Sequence, residues 1–191
     1  MKKIILLLML SAALYQAYTL NTYSYYKSHF FPDENIYQRV IRINESLIPV
    51  IGLEARGITV MVENSPVWNA YATKTWDHNK FIILNEGLIN DVNDDELALV
   101  LAHEYAHHLL DHVESLMVHR DRVGFNPKYA EKMADFLGYY ISVTAGYDKC
   151  AGYNLWSRKT EESGDYILGE SHPSGSQRTH YYKQSCEIEG N

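Results

Sequence analysis

The chain has no dense run of lysine or arginine, and its 17 basic residues face 24 acidic ones, for a formal charge of −7. That balance excludes the electrostatic footprint a nucleic-acid partner needs. Cysteine is nearly missing: only Cys150 and Cys186 are present, and neither belongs to a Cys-x-x-Cys pair, which argues against thiolate-held zinc. No internal repeat and no low-complexity tract divides the 191 residues. The apolar run Ile4–Leu14 is too short to span a bilayer as a helix.

What is present fits one globular domain. Apolar residues make up 46% and charged ones 21%, and tyrosine is unusually common at 16. Lys2 and Lys3 precede the apolar run, and the small residues Ser11, Ala12 and Ala13 lie near its end. This is the layout of a secretory signal over residues 1–20, with a working domain over 21–191. No cysteine follows the run, so a lipoprotein anchor is excluded, and membrane association is expected only through this N-terminal segment. Removing Lys2 and Lys3 with the signal leaves 15 basic against 24 acidic residues, or −9. An exported, periplasmic or extracellular location would allow Cys150 and Cys186 to pair. The bridge would close a loop of about 37 residues, worth about 4 kcal/mol through loop-closure entropy; two unpaired buried thiols are the alternative.

Hydrophobic spacing through Ile36, Val40, Ile43, Leu47 and Val50 predicts an amphipathic helix over residues 35–51. Three strand-like pieces follow, over residues 57–62, 69–73 and 80–84, and suggest a small antiparallel sheet. Asn93 and Glu96 form a capping-box pattern that opens a helix expected to run to about Met117. Asn126-Pro127 opens another, running through Tyr129, Met133, Phe136, Leu137 and Tyr140. Beyond Gly146 the chain reads as irregular.

Within the capped helix stands His103-Glu104-Tyr105-Ala106-His107. Two histidines four apart share one helical face, so both imidazoles can reach one metal ion, and the glutamate between them can act on water at that ion. A catalytic zinc takes three protein ligands and keeps one position open. A histidine ten residues after the first would supply the third, but that position is Val113. The alternative is a glutamate from the next helix. Glu131 and Asp135 lie four apart in Glu131-Lys132-Met133-Ala134-Asp135, so Glu131 can bind zinc while Asp135 accepts a hydrogen bond from a ligand imidazole. His108, His112 and His119, and Asp111, read as residues of a solvated face.

Asn69-Ala70-Tyr71-Ala72, the Gly87-Leu88 step, the segment from Asp95 to Glu104, the Glu131–Asp135 segment, and His172-Pro173 with Arg178 stand in order along the chain. In this set the chain resembles the HtpX/CAAX-prenyl-protease-type zinc peptidases, with soluble exported members such as BepA and the Oma relatives nearest in plan. The resemblance covers residues 55–140 and 170–180. It implies an α+β, zincin-like fold with the sheet packed on the HExxH helix and the following helix. It also implies one zinc per chain held by His103, His107 and Glu131, with Glu104 as general base. His172 would cap the zinc or face the substrate, and Arg178 would help stabilise the reacting carbonyl. Only 24 positions separate His107 from Glu131, where many relatives carry a longer insertion. The expected activity is endopeptidase cleavage of unfolded or misfolded envelope proteins, by Glu104-assisted attack of a zinc-bound water. Polypeptide would pair with an exposed strand near Asn69 and Ala70, supplied by residues 69–73 or 80–84. The rival reading is a zinc-stabilised chaperone or binding module of the same fold.

Overall fold

Helix α1 (Glu34–Ile51) starts where the Asp33 carboxylate accepts the Asn35 N–H, and it buries Val40, Ile43, Leu47 and Ile51. The computed structural model describes residues 33–113, 126–165 and 172–187. The expected signal segment and His119 lie outside the described residues. A 3₁₀ turn (Gly52–Ala55) leads from α1 into the sheet.

The sheet has three strands, β1 (Ile58–Glu63), β2 (Ala70–Lys74) and β3 (Lys80–Asn85), in the order β1-β3-β2. The expected antiparallel arrangement holds only for β2 and β3. Strand β1 pairs with β3 in parallel, Ile58 opposite Lys80 through Glu63 opposite Asn85, so the sheet is mixed. A parallel neighbour needs a crossover, and here β2 and its turn supply it. This order also corrects the expected free edge: residues 80–85 are central, with Ile82, Ile83 and Leu84 buried, and β2 is an edge.

After the short α2 (Glu86–Ile89) comes α3 (Asp94–Leu109), which carries the HExxH segment. Its capping box forms as expected, with Asn93 Oδ1 accepting the Glu96 N–H and Glu96 Oε2 accepting the Asn93 N–H. Arg39 of α1 clamps the same end, reaching Asp94 and the carbonyls of Ile89 and Val92. Buried positions run from Glu96 through His108 on nearly every face, which makes α3 the central helix. The helix stops at Leu109, earlier than its apolar spacing predicts, because Asp111 turns to φ 54°.

Helix α4 (Pro127–Thr144) is capped by Asn126 and packs along α3. Its inward face is Ala130, Glu131, Ala134, Asp135, Gly138 and Ile141, while Tyr129, Phe136 and Tyr140 face solvent. Gly138 permits the closest approach: a Cβ there would lie 2.7 Å from the His103 backbone nitrogen. The C-terminal region is not irregular. It folds into α5 (Ala151–Ser163) and α6 (Gly175–Glu187), which pack together and are joined by a Cys150–Cys186 disulfide. The α+β class and the small sheet on the HExxH helix agree with the expectation. No helix among the described residues is long and apolar enough to cross a membrane.

Candidate metal centre

Helix periodicity puts His103 and His107 on the face of α3 that meets α4, and the close contact at Gly138 brings Glu131 over them. The Nε2 atoms of the two histidines are 3.1 Å apart. Glu131 Oε2 lies 3.4 Å from His103 Nε2, and Glu131 Oε1 lies 3.4 Å from His107 Nε2. Zinc bonds of ~2.0–2.1 Å at tetrahedral angles give ligand–ligand edges of about 3.3 Å, so the three groups fit one ion. A second observation agrees: Glu131 Oε2 is buried without a hydrogen-bond partner of good geometry. A buried carboxylate oxygen left in that condition is costly unless a cation meets it.

The imidazoles are oriented from behind. Asp135 Oδ1 lies 3.0 Å from His103 Nδ1, which fixes the proton there and leaves the Nε2 lone pair for metal. Asp135 is held in turn by Arg178, whose Nη2 and Nε donate at 2.6 and 2.9 Å, and by the Tyr182 hydroxyl at 3.2 Å. His107 has its own support, because the break at Asp111 turns His112 back until the two Nδ1 atoms are 3.1 Å apart. His112 is therefore not a surface residue. Nor is His108, which is buried with Nε2 2.9 Å from the Phe81 carbonyl, tying α3 to β3.

Electrostatics follow this layout. Burial works against a charged His103, yet Asp135 and Glu131 hold it up to about 10. Burial and the neighbouring His103 push His107 down to about 3. Burial alone would raise Glu131, but the two histidines bring it down to about 2. Asp135 is held far below the usual carboxylate range, against burial, by Arg178 and His103. The carboxylates thus stabilise positive charge where the Nε2 atoms converge, the field a divalent cation requires. Burial, aided by Glu131 and opposed by His103, raises the Glu104 carboxyl to about 7.

A cleft of about 230 Å³ opens on this centre, lined by His103, Glu104, His172 and Arg178 and, on the strand side, by Asn69 and Ala70. His172 reaches in from the segment before α6, with Nε2 3.5 Å from Glu131 Oε2 and its side chain 34% exposed. Arg178 lines the cleft, but its Nε and Nη2 are spent on Asp135. That places these two nitrogens behind His103.

The family model for peptidase family M48 matches residues 35–126, which include His103, Glu104 and His107. Over those residues the chain is similar to peptidase family M48. No curated protein matches it. The part matched to M48 stops before Glu131, so the third donor is placed by the fold. Sequence reasoning missed His112, Trp156 and Tyr182. The first depends on a left-handed residue at Asp111, and the others sit on helices whose polar composition hides them.

Proposed function

We propose that this chain is a member of peptidase family M48 and a zinc-dependent endopeptidase in which Glu104 is the general base. The observation that carries this is the buried His103–His107–Glu131 triangle, with a Glu131 oxygen that lacks a well-formed hydrogen bond, beside a carboxylate facing an open cleft. Zinc held there supplies Lewis-acid activation of water and of the scissile carbonyl. The chain's own groups do the rest. The Glu104 carboxylate accepts a proton from the attacking water and delivers it to the nitrogen of the departing amine. His172 stands at the cleft mouth where its imidazole can donate to the oxygen of the carbonyl under attack.

The edge strand supports an extended polypeptide as substrate. Asn85 donates its N–H to the Asn69 carbonyl, so alternation assigns Asn69, Tyr71 and Thr73 to β3 and leaves the backbone of Ala70, Ala72 and Lys74 facing outward. Backbone pairing of this kind is indifferent to sequence and favours unfolded clients. We assign those clients to the envelope and the protein to the soluble exported members of the family. Support comes from the leader-like residues 1–20 and from a disulfide, which persists in oxidising compartments.

The test is digestion of a denatured protein by the zinc-loaded chain, with a chelator control and a Glu104→Gln variant. Wild type should cut and the chelated protein should not. Glu104→Gln should bind one zinc and lose roughly 10²–10⁴-fold in rate. Full activity of Glu104→Gln would sink the assignment.

A further inference from the structure

Two tryptophans divide the space beside the metal centre. Trp68 and Trp156 line the catalytic cleft on one side and, on the other, a second hollow of about 300 Å³ walled by Lys159, Thr160, Gly164 and Gly175. Their rings meet edge to face, with centroids 6.2 Å apart and planes at 76°. Each ring is anchored from outside. Trp68 Nε1 donates to Asp91 at 2.8 Å, and Lys159 Nζ stands 5.2 Å from the centre of the same ring. The Arg178 guanidinium lies 4.4 Å from the centre of the Trp156 ring. These walls are preformed.

The polar groups of the hollow are already engaged. Lys159 Nζ is paired with Asp91 at 2.7 Å and Glu162 at 2.9 Å, and the Thr160 hydroxyl donates to the Trp156 carbonyl at 2.7 Å. A Cβ on Gly175 would come within 2.6 Å of Thr160 Oγ1, so the chain passes the hollow there without a side chain. What remains on offer is aromatic and apolar surface.

We propose that this hollow is a specificity pocket that takes an aromatic or large aliphatic side chain of the polypeptide, close to the bond being cut. The proposal rests on the peptidase reading. Trp68 stands two positions before Ala70, the first outward-facing residue of β2, so a polypeptide lying along this edge passes the mouth of the hollow. A space of about 150 Å³ already accepts benzene. A phenyl or branched aliphatic group gains contact there, and a glycine or a carboxylate gains none. Discrimination of about tenfold or more between phenylalanine and glycine is expected.

The chain has three tryptophans, and Trp76 is fully exposed on the β2–β3 turn. In a zinc-loaded Glu104→Gln, Trp76→Phe protein, emission therefore reports on Trp68 and Trp156 alone. The probes are acetyl-Ala-Ala-Phe-Ala-Ala-amide and the same peptide with glycine at its centre. The phenylalanine peptide should shift the emission and bind about tenfold tighter. Adding Ser163→Phe, at the exposed end of α5 on the rim of the hollow, should bring the two peptides to equal affinity. In the chain with Glu104 intact, the same substitution should move cuts away from large apolar residues. Equal binding of the two peptides before the hollow is filled, or a phenylalanine preference that survives Ser163→Phe, overturns the pocket. Phenylalanine-selective binding by a protein whose wild type never cuts would keep the pocket and remove the peptidase reading. Cutting with no side-chain preference would do the reverse.

Discussion

The two parts of the metal centre are built by different rules. Residues up to 113 supply His103, Glu104 and His107 from little more than one turn of α3, so helix geometry alone sets their relation. Residues from 126 onward supply Glu131, Asp135 and Arg178 from two further helices, and the Arg178 bonds to Asp135 span 43 positions. The first part is correct in any chain that forms the helix. The second exists only when the core has closed, which couples metal affinity to folding.

Substitutions can break this comparison. The largest effect should come from Glu131→Gln, far from the HExxH segment in sequence. It removes the charged ligand, so zinc measured by equilibrium dialysis and peptide cleavage should both fall to background. Stoichiometric zinc in that variant would mean that α3 suffices and the division is false. Next comes Arg178→Ala, which touches no metal. It leaves Asp135 buried without its charge partner, at a cost of about 3–5 kcal/mol in unfolding free energy. Zinc affinity should fall roughly 10–100-fold as His103 loses its orientation. Arg178→Lys should not restore either, because Nη2 and Nε reach both Asp135 oxygens together.

The smallest effect concerns a link between the two parts at the surface. Asp91 binds Arg158, Lys159 and Trp68, and these contacts outweigh burial to hold its carboxyl below the ordinary value. A depressed folded-state value stabilises above the unfolded one and is lost as pH falls through the folded one. Urea unfolding of Asp91→Asn should therefore show a loss of less than about 1 kcal/mol at neutral pH, given the solvent screening of this pair. The difference from wild type should shrink with acidification below the ordinary carboxylate range. A difference that persists there would assign the effect to the Trp68 hydrogen bond instead.

The same division explains what could be read in advance. The capping box at Asn93, the start at Asn126-Pro127, the histidine pair and the pairing of Glu131 with Asp135 all follow from spacings of three or four residues, and each is found in the fold. The parallel β1–β3 pairing was not legible, because strand patterns carry no direction. Helices α5 and α6 were hidden by their polar content: their burial rests on a few positions, Leu155, Trp156, Arg178 and Tyr182, and on the disulfide between them. His112 needed the turn at Asp111, and the place of Arg178 needed the buried Asp135 as its partner.

Gly138 has a consequence outside stability. Where α4 meets His103 there is backbone against backbone, with no side chain between to be compressed or trimmed. The span from Glu131 to the two imidazoles is thus gauged by a missing methyl group. A spacing set by two backbones cannot be retuned by exchanging side chains, so a bulkier residue at 138 would move the carboxylate away from the histidines as one piece with its helix.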